Sequence, residues 1–454
     1  MNRYHGFRDF LEKTSQNHGS GKAFLFEDGE KKTITWNEFT ADVYHRSDEL
    51  AETGKTCIGI ITDGTLSCLE EIFAANLAGM QVVLLDHMTP LPVLEQLLVS
   101  TDCDCIYGSD KHHRILEHAL TDGITDGKGK ILFFTSGTTN RAKAVVLTDA
   151  SLMNSAYNGG SMLPLKEEDI LLSCLPFSHV FGFVCGLLWP MTCHALTALG
   201  RGPRHYMDDC SYFHPTAVSV VPTLLGFFLH HHLLNEEMRL ILVGAGDCSD
   251  ELLQAVQSKG IQLSYGYGLT ETSSGVAIST SGDPRAMSVC PDDQITIAED
   301  GEILIEAPTC MMQGYYKNKE ATDQVLINNV LHTGDLGHLD EEGKLHLTGR
   351  KKDMLVLPNG TKIFLPEYEM EIMKILKEQD LAVILRNHKP VLVLNGLKET
   401  KEKTMEKLSD VMKKMPRSHQ ITDIIDLGHE LQRTATGKLK RWEIEKEVNN
   451  GNEK

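Results

Sequence analysis

The chain has 454 residues, a formal net charge of −19 and 41% hydrophobic residues, a composition that supports a sizeable core in roughly three domain-sized units. A surface this acidic repels nucleic acid and anionic membranes and excludes both as partners, although a buried site for an anionic nucleotide depends on local cations and dipoles instead. The 11 cysteines are odd in number and lack metal-ligand spacing, which points to reduced thiols in a cytoplasmic protein.

In chain order, the start "MNRYHGFRDFLEK" has no apolar signal core. Cys57–Thr62 reads as a buried strand, Cys68–Gly79 as a helix with a glycine stop, and Gln81–Leu85 as the next strand; this alternation predicts βαβ units and a parallel sheet. Two apolar runs, Ile131–Phe134 and Ala144–Leu147, then flank a loop of Thr135, Ser136, Gly137, Thr138, Thr139, Asn140, Arg141, Ala142 and Lys143. Hydroxyls, free N–H groups and cations are what a polyphosphate needs. The loop joins two strands and lacks the Walker A pattern. Asp149 with Ser151 reads as a helix N-cap. The apolar stretch Val180–Gly200 is long enough to span a bilayer, but Pro190 and His194 interrupt it, so it reads as a buried core helix.

Further along, Ala217–Val221, Leu240–Val243 and Gln262–Tyr265 read as strands and Asp250–Ser258 as a helix. His230, His231 and His232 point in three directions on a helix, so they read as a helix end and not as a metal site; Cys103 and Cys105 are likewise not read as ligands. After Thr280 the chain turns β-rich, with turns at Asp300-Gly301, Glu342-Gly343 and Asn359-Gly360. From Pro366 onwards a small α/β unit follows: helix Pro366–Glu378, strands Leu381–Leu385 and Val391–Leu394, and helix Glu399–Lys414. The charged stretch Arg350–Lys352 marks the boundary, giving domains 1–351 and 352–454.

"FTSGTTNRAKAVVLT" resembles the phosphate loop of the adenylate-forming acyl- and aryl-CoA synthetases, luciferases and peptide-synthetase adenylation domains. Four further segments match in the same order: "LPFSHVFGF", "YGYGLTET", "HTGDLGHLDEEGKLHLTGRKKDM" and "RTATGKLKR". Alone, each has a bland reading: a core histidine for His179, a glycine-rich turn at Tyr265–Thr272, a solvated basic triplet at Arg350–Lys352, an exposed lysine at Lys438. The set of five favours the site.

The resemblance implies residue roles. Thr135, Ser136, Gly137, Thr138, Thr139 and Lys143 would hold the phosphates. His179 would stand at the gate beside the carboxylate; the absence of an aspartate there points away from amino acids. Tyr265, Gly266 and Tyr267 would form the adenine slot, with Tyr267 stacking on the base. Gly244, Ala245 and Gly246 would be its other wall, a weaker match because glycine and alanine are swapped. Thr270 would bond the α-phosphate and Glu271 would ligate magnesium, a hard cation suited to oxygen donors. Asp335 and Arg350 would bind the ribose, and Lys352 would be the hinge. Lys438 would be the catalytic lysine, and Gly360 would lie on the loop lining the thiol channel. Val221, Pro222, Thr223, Phe181 and Gly266 would line an apolar acyl pocket. Asn140, Ala142 and Ala144 replace the usual glycine, proline and glycine of the phosphate loop, which implies a stiffer, slower loop.

The expected fold is α/β: a large N-terminal domain of mixed, mostly parallel α/β sheets plus a β-rich subdomain, with a small mobile α+β C-terminal domain. The expected function is ATP-dependent activation of a fatty or aromatic acid to an acyl-adenylate, then transfer to coenzyme A, with ATP, Mg2+ and coenzyme A as co-reactants. A carrier-protein phosphopantetheine as acceptor is the alternative, and a non-catalytic nucleotide- or acyl-binding relative the other. Oligomeric state stays open.

Overall fold

The computed structural model describes residues 2–121, 129–135, 143–246, 248–280, 282–356, 362–378, 380–387, 389–413, 419–433 and 439–450. Its largest sheet has the strand order Ser288–Val289, Ser274–Ile278, Gln262–Leu269, Leu240–Val243, Ala217–Val220, Ile170–Ser173, Leu196–Leu199, Lys22–Glu27, Lys31–Thr35. The interior pairs from Gln262–Leu269 to Lys22–Glu27 are parallel, and both ends are antiparallel. A second sheet runs Gly314–Tyr315, Lys143–Thr148, Lys130–Thr135, Gln81–Asp86, Cys57–Thr62, Cys105–Tyr107. Parallel strands covered on both faces need continuous apolar runs, and Cys57–Thr62, Ala217–Val220 and Leu240–Val243 are buried along their whole length.

A third, antiparallel sheet comprises Gln294–Ile297, Glu302–Glu306, Leu326–Ile327, Val330–Leu339 and Leu345–Arg350. This is the β-rich part expected after Thr280. Beyond it, Leu381–Arg386, Lys389–Leu394 and Ile424–Asp426 form a small sheet accompanied by helices Leu365–Leu376, Lys401–Met412 and Arg441–Asn450. The apolar cores segregate along the chain. The largest runs from Tyr4 to Leu345, and two clusters lie between Ile363 and Val448.

Val180–Gly200 departs from the single helix expected of it. Val180–Phe183 is helical, Val184–Leu188 forms a π-turn, Trp189–Thr192 is helical again, and Leu196–Leu199 is a strand of the large sheet. Pro190 lacks the N–H that a continuous ladder needs, and His194 takes a left-handed φ of 56° that turns the chain. No helix among the described residues is long and apolar enough to cross a membrane.

Asp149 also differs from expectation. The helix Asp149–Met162, here α1, is capped by Thr148, which exchanges a capping box with Ser151. The Asp149 carboxylate accepts from the Phe7 N–H at 2.9 Å and so caps the separate helix Phe7–His18. The histidine run ends helix Pro222–His230 in the exposed position expected of it, and no group of three His, Cys, Asp or Glu among the described residues could hold a metal.

Candidate active site

The site grows from a hairpin. Strands β1 (Lys130–Thr135) and β2 (Lys143–Thr148) pair antiparallel, with Thr135 opposite Lys143, so both lie at the mouth of the phosphate-loop segment. Ser136, Gly137, Thr138 and Thr139 lie outside the described residues, as do Asn140 and Ala142.

Strand β3 (Leu240–Val243) runs parallel to β4 (Gln262–Leu269), which carries "YGYGLTET" into a short turn at Thr270–Thr272. Sequence expected only Gln262–Tyr265 as strand. The ladder continues because β5 (Ser274–Ile278) folds back against Gly266–Leu269, with a bulge between Tyr267 and Gly268. Gly268 is required there: a Cβ would sit 1.6 Å from the Ser274 carbonyl oxygen. The turn is anchored by the Ser273 hydroxyl, which donates to the Cys310 carbonyl at 2.7 Å and lies 3.0 Å from Ser151 Oγ. Thr270 and Glu271 therefore have a fixed platform beside α1.

Strand β6 (Gly314–Tyr315) pairs with β2 at Val145–Val146 and brings in a residue that sequence reasoning missed. The Lys143 ammonium lies 4.5 Å from the centre of the Tyr315 ring, and the Tyr315 hydroxyl donates to Glu271 Oε1 at 2.6 Å. Burial, and secondarily the Glu271 charge, push the Tyr315 phenol well above its ordinary pKa, so it stays a proton donor. The Lys143 ammonium and the Glu271 carboxylate are thus held on two parts of one side chain.

A second chain of contacts lies on the same strand. Strands β7 (Val330–Leu339) and β8 (Leu345–Arg350) pair with Asp335 opposite Arg350. The buried Asp335 carboxylate takes the Arg350 Nε–H at 2.8 Å and the Tyr267 hydroxyl at 3.0 Å. Burial first, then the Asp335 charge, raises the Tyr267 pKa. The structure brings Asp335, Arg350 and Tyr267 together, with the Tyr267 phenol spent on Asp335.

The opposite wall is the turn after β3. The Phe181 ring packs against Gly244, where a Cβ would lie 2.7 Å from ring carbons. Ala245 takes a φ of 62°, the left-handed region that costs a non-glycine residue about 1 kcal/mol; this is the structural consequence of the swapped glycine and alanine. Gly246 faces Pro222. The Tyr265 hydroxyl accepts from the Cys248 N–H at 2.6 Å and fixes the far side of this turn. His179 begins the helix Val180–Phe183, with Nε2 3.7 Å from Asp86 Oδ2. Desolvation lowers its pKa, partly opposed by Asp86.

A cavity adjoins this wall, lined by Ser155, Gly159, Leu163, Val184, Trp189 and Leu242 among others. None of Val221, Pro222, Thr223, Phe181 and Gly266, expected to line the acyl pocket, lines this cavity, whose wall comes from α1, the broken helix after His179 and the strands β3 and β5. Lys438 and Gly360 lie outside the described residues.

Fold and site define a nucleotide-dependent adenylate-forming enzyme. The sequence model of the AMP-binding enzyme family matches residues 130–316. A 2-succinylbenzoate–CoA ligase from Oceanobacillus iheyensis is 30% identical over 409 residues, 81% of this chain and 83% of that protein. Among solved structures, an o-succinylbenzoate CoA synthetase from Bacillus subtilis in complex with its acyl-adenylate intermediate is similar with a TM-score of 0.80, 22% identity and coverage of 96% and 97%. An anthranilate CoA ligase in complex with anthranoyl-AMP is similar with a TM-score of 0.79, 19% identity and 98% of both chains covered. The chain belongs to the family of AMP-binding enzymes, in its acyl- and aryl-CoA synthetase branch, and is an acid–thiol ligase.

Proposed function

We propose that this enzyme activates an aromatic carboxylic acid with MgATP and transfers the acyl group to free coenzyme A. The observation that carries the reading is convergence: Lys143, Glu271 and Tyr315, and Tyr267, Asp335 and Arg350, are gathered around the C-terminal end of one strand, Gln262–Leu269, where a nucleotide would put its phosphates and its nucleoside. Of the fatty and aromatic acids expected, the aromatic class is favoured by the relatives' names. Those relatives are CoA ligases, which favours CoA over a carrier protein as acceptor.

In the first half-reaction a carboxylate oxygen attacks the α-phosphorus of ATP, and the bond to pyrophosphate breaks. Lys143 and the loop hydroxyls of Thr138 and Thr139 bind the phosphates, and Thr270 bonds the α-phosphate. Asp335 accepts from the ribose hydroxyls while Arg350 fixes its carboxylate. Glu271, a carboxylate held by a phenol, fits magnesium by donor type; the ion supplies charge neutralisation on the phosphates. His179 packs at the carboxylate end. Lys438 stabilises the charge developing between carboxylate and phosphate. In the second half-reaction the CoA thiol displaces AMP, and Gly360 lies on the segment lining its approach. We assign residues 1–351 to the large domain and 352–454 to the small one, a division supported by the segregated cores.

The test is ATP–pyrophosphate exchange with a panel of aryl and fatty acids, followed by CoA thioester detection. We expect exchange with aryl acids, and loss of at least a hundredfold in exchange on Lys438→Ala. Exchange with fatty acids alone would overturn the substrate class; undiminished exchange in Lys438→Ala would overturn the assigned role of that lysine.

A further inference from the structure

The cavity beside Phe181 holds a hydrogen-bonding side chain with nothing to bond. Ser155 on α1 is 3% exposed, lines the cavity, and its Oγ has no partner among the described residues. Other polar groups on that wall are engaged: Trp189 Nε1 donates to the Leu163 carbonyl at 3.0 Å, and Cys185 Sγ lies 3.6 Å from Ser274 Oγ. A buried helical serine ordinarily bonds the carbonyl four residues back; Ser155 does not. An unmet buried hydroxyl costs about 1–3 kcal/mol until water or a ligand meets it.

Asn158 repeats the pattern. It lies three residues on, a spacing that puts it beside Ser155 on the surface of α1. It is fully buried, its amide N–H donates to Cys310 Sγ at 3.7 Å, and its Oδ1 has no partner among the described residues. Asn158 is not among the residues that line the cavity, so the polar group the cavity offers is the Ser155 hydroxyl, which can accept from a donor. No lysine or arginine lines the cavity, so an anionic substituent would be buried there without a counter-charge, at a cost of several kcal/mol.

We propose that the acid taken by this site carries an uncharged hydrogen-bond donor, a hydroxyl or amino group, at the end remote from its carboxylate, and that Ser155 receives it. The proposal rests on the aryl-acid reading above and narrows it. Ser155 is then a specificity-determining residue, acting on substrate choice and not on the phosphoryl chemistry.

The experiment measures ATP–pyrophosphate exchange by the full-length enzyme with benzoate, hydroxybenzoates, aminobenzoates and 2-succinylbenzoate. The same acids are run with Ser155→Thr, which keeps the hydroxyl, and Ser155→Val, which keeps the shape of threonine without it. We expect the wild-type enzyme to prefer a hydroxy or amino acid over benzoate by about tenfold in kcat/KM, the size of one neutral hydrogen bond. That ratio should survive in Ser155→Thr and fall at least fivefold in Ser155→Val, through KM. An unchanged ratio in Ser155→Val overturns the proposal, and so does a wild-type preference for benzoate or 2-succinylbenzoate; the wild-type preference decides the matter even if a variant fails to fold. Exchange with no aryl acid, while MgATP still binds, removes the aryl-acid reading itself, an outcome distinct from exchange without preference.

Discussion

Tyr315 shows how one side chain can hold two charged groups. Its ring supports the Lys143 ammonium and its hydroxyl fixes Glu271 Oε1, so the two functions can be separated by substitution. Tyr315→Phe keeps the ring and removes a hydrogen bond to a charged group, which contributes about 1.5–3 kcal/mol. Titrating ATP by calorimetry at a series of magnesium concentrations should show the half-saturating magnesium raised about tenfold, with ATP affinity at saturating magnesium little changed. Tyr315→Leu should weaken ATP as well, because Lys143 loses its support. Equal magnesium dependence in Tyr315→Phe and wild type would mean that the phenol does not position Glu271. Neither Tyr315 nor Ser155 was legible in the sequence. Tyr315 reaches the site only through pairing of Gly314–Tyr315 with Val145–Val146, a contact across most of the large domain, and Ser155 matters through what α1 is packed against. Glu271, Asp335, Arg350 and Tyr267 could be singled out in the sequence because each sits in a contiguous motif.

Among the elements, β4 has the largest role in placing the site. It carries Tyr267 near its C-terminal end and delivers Thr270 and Glu271 just beyond that end, with the bulge lying between them. The approach of Gly268 to the Ser274 carbonyl leaves no room for a methyl group. Gly268→Ala should open the β4–β5 ladder, destabilise the protein by about 2–4 kcal/mol, and abolish exchange by moving Glu271 off Tyr315. Loss of activity with an unchanged unfolding midpoint would show that the bulge relaxes at no cost. The alternation of strands and helices was readable because buried parallel strands are unbroken apolar runs bounded by turns. The same signal failed at Val180–Gly200, since an apolar run has no period to separate helix from strand, and Pro190 divides it in a way that only packing decides. At Asp149 the carboxylate was rightly read as a helix cap but for the wrong helix, because its partner, Phe7, lies 142 residues away.

For the molecule as a whole, stability should carry a pH signature from a carboxyl group outside the site. Asp293 is 6% exposed and neither oxygen has a partner among the described residues. Its neighbour Asp292 is paired with Arg3 and accepts from the Thr309 hydroxyl. The nearby Cys290 and Cys310 thiols are held neutral by burial, Cys310 pushed up to about 12. Burial, with the Asp292 charge added, lifts Asp293 from 3.8 to about 7. The folded state therefore keeps a proton that the unfolded chain releases between those two values. Stability then falls as pH rises through that window, and the penalty is complete above it. Three pKa units correspond to about 4 kcal/mol, an upper figure for a group that water can reach on opening. Asp293→Asn removes the charge without changing the shape. Chemical denaturation should find the variant more stable than wild type by about 1–2 kcal/mol at pH 5 and by about 2–4 kcal/mol at pH 8. Lys143, Glu271 and Asp335 are untouched, so exchange activity at pH 7 should persist in the variant. Equal stability of the two proteins at pH 8 would mean that the folded state accommodates the Asp293 carboxylate after all, through water or a rearranged Arg3, and would remove burial as the origin of the pH slope.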